Sequence, residues 1–280
     1  MIKFGPAGNS GSFYAEGNKH TVEMPKWLNG RGLDCFEYSL GKGILIKEET
    51  AAAIGAAASE FGIEMSVHAP YFINFAREES YEKSEGYILE SLKVLKAFGG
   101  NRLVFHVGSP VKQAREDAVR IACEALLRLA DAVKGTGLYD GIRLCPETMG
   151  KIGQIGSVDE IIKLSALDPI YTPCIDFGHV NAREQGLLKD ADAYLGIVER
   201  FLDVIGERAR TMHVHFSRIE YSTGGEVRHL TFSDDRYGPY FEDFAPVIRR
   251  TGLEPYIICE SDGTQAEDAA EMKRLYLSNR

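Results

Sequence analysis

The chain has 280 residues, of which 44% are hydrophobic and 26% charged, a composition typical of soluble globular proteins and not of disordered chains. Charged residues interrupt every apolar run before about 18 residues, so no membrane span is predicted. The formal net charge of −9 disfavours a protein that coats nucleic acid by neutralising phosphates. It still permits a compact catalytic patch in which bound cations dominate the local field.

The cysteines and the N-terminal segment indicate the cellular compartment of the protein. Five cysteines lie far apart and none forms a C-x-x-C pair, which disfavours both a disulfide framework and a thiolate zinc site. The segment from Met1 to Gly5 contains no signal-peptide core. A cytoplasmic location is therefore predicted.

Short apolar runs alternate with amphipathic segments along the chain. Strands are predicted at 2–4, 33–38, 64–68, 102–107, 141–147, 171–176, 210–216 and 256–260. Helical spacing is found at 48–61, 82–98, 111–133, 158–164, 190–205 and 265–277. Eight strand–helix units in this length predict an α/β fold of the (β/α)₈ TIM-barrel class, as a single metal-dependent domain over 1–280. A doubly wound open sheet is the alternative.

Ionisable side chains stand at or just beyond the carboxyl ends of these strands. The candidate metal ligands are His68, His106, Glu147, Asp176, His179, His213, His229 and Glu260. Strand carboxyl ends converge at one face of a barrel, and leaving so many ionisable groups there unpaired would cost several kcal/mol each, by order of magnitude. Cations remove this cost, since neutral imidazoles and carboxylates become ligands.

Ligand type and number indicate the metals. A mixed nitrogen and oxygen set favours Zn²⁺, Mn²⁺ or Fe²⁺, and the number of ligands exceeds what one tetrahedral ion uses. Two or three ions are predicted, with Glu147 able to bridge a pair. Neighbouring ions suit displacement at phosphorus and also sugar or carbonyl isomerisation, so the pattern alone leaves both open.

Several segments resemble the motifs of one family. Residues 67–74 (V-H-A-P-Y-F-I-N) resemble the H-A-P-Y-x-x-N motif of the endonuclease IV family of apurinic/apyrimidinic-site endonucleases. Residues 105–109 look like its H-x-G-S motif, 146–150 its E-N-x-x-G segment, and 174–179 its D-x-x-H element. His213 corresponds to the histidine of its H-x-N-D-S strand, and 256–260 match its last strand. In this order the motifs are specific for the family or for the wider xylose-isomerase-like barrel superfamily.

The resemblance implies a TIM barrel with a trinuclear zinc site. His68 and His106 would hold the first ion and Glu147 would bridge to a second. The second site would be completed by Asp176, His213 and Glu260, and a third ion would be held by His179 and His229.

The implied activity is that of a hydrolase in DNA repair. A metal-bridging hydroxide would attack the phosphorus 5′ to an abasic deoxyribose and leave a 3′-hydroxyl, with Glu147 and Glu260 as catalytic residues. DNA containing abasic sites would be the partner, contacted by Tyr71 as a wedge and by Asn74 and Arg228. No obligate protein partner is predicted.

Two departures from the family pattern concern the third ion and the substrate. The family reads D-R-H where this chain has Glu226-Val227-Arg228-His229, so either Glu226 substitutes from a shifted backbone or the third site is weak or empty. His215 stands where the family has asparagine, and it is a candidate ligand, general base or substrate contact.

Two other classes of function remain open at this stage. The same barrel fits a metal-dependent sugar or sugar-phosphate isomerase or epimerase, in which Glu147 and Glu260 exchange protons at adjacent carbons. A metal-retaining barrel that binds nucleic acid or a partner without turnover is the third possibility.

Overall fold

Eight parallel β-strands form the framework of the protein, which a computed structural model describes over residues 1–138 and 140–278. The strands are β1 (Lys3–Pro6), β2 (Cys35–Ser39), β3 (Glu64–His68), β4 (Arg102–Phe105), β5 (Arg143–Pro146), β6 (Cys174–Asp176), β7 (His213–Phe216) and, after the antiparallel hairpin β8 (Arg218–Ser222) and β9 (Gly225–Leu230), β10 (Tyr256–Cys259). Each predicted strand overlaps a barrel strand, although those predicted at 171–176 and 210–216 begin three residues before the observed strands.

The barrel is closed. Its two ladders, β1-β10-β7-β6 and β2-β3-β4-β5, meet at two seams. Ala7 pairs in parallel with Glu37 beside β1 and β2, and Glu147 pairs in parallel with Cys174 beside β5 and β6. A closed ring leaves no edge strand, so the TIM-barrel prediction is confirmed and the open-sheet alternative is excluded.

Helices cover the outside of the barrel. They are α1 (Gly11–Ala15), α2 (Met24–Asn29), α3 (Glu48–Phe61), α4 (Tyr81–Ala97), α5 (Arg115–Gly135), α6 (Val158–Ser165), α7 (Phe177–Arg183), α8 (Ala191–Ile205), α9 (Phe241–Thr251) and α10 (Gln265–Ser278). Helix α5 begins at Arg115 rather than at residue 111 because Val111 has φ +56°, which a right-handed helix excludes. Among the described residues, no helix is long and apolar enough to cross a bilayer.

An aromatic cluster supports the strands that carry the candidate site. Phe177 at the start of α7 packs against Phe244 of α9, with ring centroids 4.4 Å apart, and against Tyr194 of α8 at 5.2 Å. Phe216 of β7 lies 6.4 Å from Phe177. These side chains are fully buried, so α7 and the end of β7 are fixed relative to each other.

We expect Gly5→Ala to lower the free energy of unfolding by about 3 kcal/mol. A Cβ at Gly5 would lie 1.8 Å from the carbonyl oxygen of Cys35, and both are backbone positions of adjacent barrel strands. The control is Gly86→Ala on α4, where a Cβ meets no atom within 4 Å and a gain of roughly 0.5–1 kcal/mol is expected. Urea unfolding measures both, and equal effects of the two substitutions would contradict the close approach of β1 to β2.

Candidate metal centre

A cavity of about 350 Å³ opens at the carboxyl ends of the barrel strands. Its lining includes most of the predicted ligands: His68, His106, Glu147, His179, His229 and Glu260. The carboxyl ends of parallel strands meet at this face, so side chains distant in sequence converge there.

Glu147 is the centre of the cluster. Its Oε2 atom lies 3.1 Å from Nε2 of both His68 and His106, and its Oε1 atom lies 3.1 Å from Nδ1 of His215 and 3.4 Å from Nδ1 of His179. Burial opposes ionisation of Glu147, but the surrounding histidines, foremost His215, hold the pKa of its carboxyl well below the usual value. Glu147 is therefore an anion that two or more cations could share.

A second group consists of Glu147, Asp176, His215 and Glu260, whose ligand atoms all lie within 4.8 Å of one another. Asp176 caps α7, and its Oδ1 atom accepts a hydrogen bond of 2.7 Å from the backbone N–H of His179. Its Oδ2 atom is buried without a hydrogen-bond partner and lies 3.3 Å from Nδ1 of His179. Burial raises the pKa of Glu260, which lines the cavity.

The histidine of β7 in this second group is His215, whereas the predicted ligand His213 belongs to a separate candidate group with Cys174 and His215. Across β6 and β7, Asp176 pairs with His215 and Cys174 pairs with His213, so His213 lies one inward-facing position deeper in the barrel. There it contacts Glu37 at 3.0 Å and forms a buried group with Cys174 and His215. His215 accordingly lies among the candidate ligands, one of the roles predicted for it.

The third group is His179, Glu226 and His229, again with ligand atoms within 4.8 Å of one another. Residues three apart in a regular strand point to opposite faces. The pairing of β8 with β9 shifts at Val227, since Glu220 pairs with Arg228 but Tyr221 pairs with Glu226. This bulge turns Val227 outward and brings Glu226 and His229 to the same face. Such a shift of the backbone is what the substitution of Glu226 for the aspartate of the family motif would need.

Three of the imidazoles are anchored in the same way. The Nδ1 atom of His68 lies 2.9 Å from the carbonyl oxygen of Ala69, and that of His179 lies 2.9 Å from the carbonyl oxygen of Thr148. The Nδ1 atom of His229 lies 2.8 Å from Oγ of Ser217. Each anchor leaves Nε2 facing the cluster. A metal-binding histidine is held in this manner, so the donor set and its supports fit divalent cations.

Two predicted substrate contacts do not reach the cavity. Asn74 donates from Nδ2 to Ser109 O at 3.1 Å and accepts from Ala76 N–H at 3.0 Å, so its amide holds two loops together. Arg228 is exposed and forms an ion pair of 2.7 Å with Glu220 on the outside of the hairpin.

Tyr71 does line the cavity, at its rim. It is 52% exposed, and its ring lies 4.9 Å from that of Phe72, which is 43% exposed. The pair forms a solvent-facing aromatic edge beside the candidate ligands.

Glu37 is not among the predicted ligands, although its place at the end of the second strand favours the isomerase alternative; it lies on β2 and is 1% exposed. Burial opposes its ionisation, but His215 and His213 hold the pKa of Glu37 well below the usual value. An acidic residue inside the apolar run 35–38 was the sequence signal for it, since an unpaired buried carboxylate is costly.

The metal-free protein is expected to lose stability above pH 6.5. Burial opposes protonation of His68, but Glu147 raises the pKa of His68 to about 9, so its stabilising contribution is complete below pH 6.5 and is lost as the pH rises to about 9. Over that range we expect the unfolding free energy of wild type to fall by about 3 kcal/mol more than that of His68→Gln. Denaturant unfolding after chelation measures this, with exposed His20→Gln as control. Parallel pH curves for wild type and His68→Gln would contradict the pairing.

Comparison with known sequences identifies the family. The profile of the xylose isomerase-like TIM barrel family matches residues 25–277. A protein of Methanocaldococcus jannaschii described as uncharacterized is 34% identical over 278 residues, which are 98% of this chain and 96% of that protein. A probable endonuclease 4 of Acholeplasma laidlawii is 31% identical over 173 residues, which are 58% of this chain and 56% of that protein.

Solved structures share the fold across nearly the whole chain. A D-tagatose 3-epimerase-like protein superposes with a TM-score of 0.74 at 16% identity, covering 99% of this chain and 98% of that one. Endonuclease IV from Thermus thermophilus superposes with a TM-score of 0.66 at 20% identity, with the same coverage. These likenesses show the architecture alone. The profile match confirms the wider resemblance drawn from the motifs: the chain belongs to the xylose isomerase-like TIM barrel family.

Proposed function

We propose that the protein is a metal-dependent phosphodiesterase of the endonuclease IV type, which incises DNA 5′ to abasic sites with three divalent cations. The observation that carries the proposal is the third ligand group, which Glu226 completes beside His179 and His229. A third cation adjacent to a pair offers charge for all the oxygens of a phosphodiester, whereas a small carbonyl substrate needs fewer ions. Zinc fits the histidine-rich set well, and manganese or iron(II) would also fit.

In the proposed reaction, the bound cations, Glu147 and Glu260 would have different roles. Bound cations would neutralise the phosphate and acidify the attacking water. The carboxylate of Glu147 contacts histidines of all three ligand groups. It would therefore fix the distances between the bound cations. Glu260 lines the cavity and has a pKa raised by burial, so its carboxylate is suited to take the proton of the water as the new P–O bond forms. The P–O3′ bond would break, and the leaving 3′-oxygen would take up a proton from water to give the 3′-hydroxyl.

The rim of the cavity supports a nucleic-acid substrate despite the net charge of −9. Tyr71 and Phe72 are exposed aromatic side chains at the mouth, and aromatic rings stack on bases without sequence preference. Lys151 lines the same cavity from the loop after β5 and offers a cation for a backbone phosphate.

The principal test is incision of a duplex containing a tetrahydrofuran abasic analogue, with added Zn²⁺ or Mn²⁺. We expect wild type to retain three metal equivalents, and His229→Ala to retain two and to incise on the order of 100-fold more slowly, since a bound ion supplies several kcal/mol of transition-state stabilisation. His20→Ala, an exposed histidine outside the centre, should behave as wild type. Absence of incision by metal-loaded wild type would refute the proposed activity.

A second test addresses the aromatic rim. Tyr71→Ala should weaken binding of the abasic duplex by roughly tenfold, because one base-stacking contact contributes about 1–3 kcal/mol. Binding is measured by fluorescence anisotropy at fixed salt. The undamaged duplex is the control, and its affinity should change by less. Equal losses for both duplexes would assign Tyr71 to general DNA contact and not to recognition of the lesion.

A sugar or sugar-phosphate isomerase or epimerase is the second candidate, and the cavity favours it. Its volume of about 350 Å³ suits a small ligand, and Glu147 and Glu260 both contact Nδ1 of His215, at 3.1 and 3.5 Å. Exchange of solvent deuterium into candidate sugars, followed by NMR, tests this activity. Exchange without DNA incision would replace the first proposal with the second.

A further inference from the structure

We propose that Arg183 is a positioning residue: it holds the loop 149–154 against the hairpin β8–β9 and thereby places Glu226 in the third ligand group. The inference rests on the proposed function, because it concerns the cation that this group would bind. It goes beyond that function by assigning a role to a side chain that lies outside all three ligand groups and does not line the cavity.

The guanidinium of Arg183 binds four backbone carbonyl oxygens of the loop. Its Nη1 atom donates to Met149 O at 3.1 Å and to Lys151 O at 2.9 Å. The same atom donates to Gln154 O at 3.3 Å, and Nη2 donates to Ile152 O at 3.2 Å. Carbonyl oxygens that converge on one point repel one another, and a guanidinium offers five N–H donors in a planar fork. A cation with several donors at their centre therefore stabilises this turn of the loop.

Main-chain hydrogen bonds join the loop to the hairpin. Gly150 O accepts a hydrogen bond of 3.2 Å from the N–H of Glu226, and the N–H of Ile152 donates to Gly224 O at 3.2 Å. The carbonyls on both sides of Gly150 are among those that Arg183 binds. The position of Glu226 therefore depends on the loop conformation that Arg183 stabilises.

The loop also packs directly against two members of the third ligand group. A Cβ at Gly150 would lie 2.6 Å from Cβ of Glu226 and 3.0 Å from Cδ2 of His179. His179 and Arg183 are four residues apart on α7, so their side chains lie on the same face of that helix. One helix thus supplies a candidate ligand and the side chain that holds the loop beside it.

Arg183→Met keeps an apolar side chain of similar reach but removes every donor. We expect it to weaken binding of the third ion roughly 10–100-fold, as is typical when a group that supports a metal ligand is lost, and to leave the other ions unaffected. Arg183→Lys keeps the charge and three donors but not the planar fork, so it should recover part of the loss.

Metal titration of the full-length protein against a competing chelator measures these affinities. The third ion is identified as the one that His229→Ala no longer binds. When Arg183→Met is added to His229→Ala, the affinities of the remaining ions should not change further, because both substitutions act on the same site.

Arg208→Met is the matched control. Arg208 precedes β7 at the opposite end of the barrel strands, and its Nη1 atom donates to the carbonyl oxygens of Ser165, Asp168 and Tyr171. Its loss removes the same kind of support from a loop remote from the cavity. We therefore expect a lower denaturation midpoint and wild-type affinity for every ion.

Amide hydrogen exchange in the metal-free protein provides a readout that does not depend on metal. The N–H of Glu226 donates to Gly150 O, so Arg183→Met should speed its exchange roughly tenfold, about the effect of losing one hydrogen bond. In Arg208→Met the exchange rate at Glu226 should equal that of wild type.

The outcomes separate the two proposals. Wild-type affinity for the third ion in Arg183→Met, or in Arg183→Lys if the methionine variant does not fold, would overturn the role of Arg183 and leave the phosphodiesterase proposal intact. Equal weakening of all ions, or the same weakening in Arg208→Met, would do likewise. A wild-type protein that binds fewer than three ions would instead refute the proposed function, and the exchange rate at Glu226 would still decide whether Arg183 holds the hairpin.

Discussion

A buried carboxylate surrounded by imidazoles is the constraint on which the rest of the site depends. Glu147 is 1% exposed and has four histidine nitrogens within 3.4 Å, contributed by segments that follow or form β3, β4, β6 and β7. Such a group is tolerable in a protein interior only when opposite charge surrounds it. Protonated histidines can supply that charge in the metal-free protein, and cations can supply it in the loaded protein, so metal binding exchanges one neutralising partner for another.

The barrel makes this concentration of charge possible. Parallel strands direct their carboxyl ends to one face, and the closed ring brings β2 opposite β6 and β7 across the interior. Glu37 therefore lies close to His215, with 2.9 Å between Oε1 and Nε2, although the two residues are far apart in sequence. Phe177 packs against Phe244 and Tyr194, which fixes the outer helices behind β7. A closely packed apolar layer therefore surrounds the polar groups of the barrel interior.

The fold and most of the centre could be predicted from the sequence because strand ends are marked by apolar runs that stop at His68, Glu147 or Asp176. What could not be predicted depends on register. His213 and His215 both point inward, and only the pairing of Asp176 with His215 shows which of them reaches the centre. Likewise, a bulge has no reliable mark in a single sequence, so the placement of Glu226 required the observed pairing of β8 with β9.

The central ligand group of this protein is compatible with more than one substrate class. A group such as Glu147, Asp176, His215 and Glu260 can polarise either a phosphate or a carbonyl, so its presence does not select a substrate. The hairpin β8–β9 carries Glu226 and His229, and the loop after β3 carries Tyr71 and Phe72. These segments extend beyond the barrel strands, where insertions and exchanges cost little stability. Under the proposed function, substrate choice would therefore depend on this hairpin and this loop, since the barrel strands fix the geometry of the centre below them.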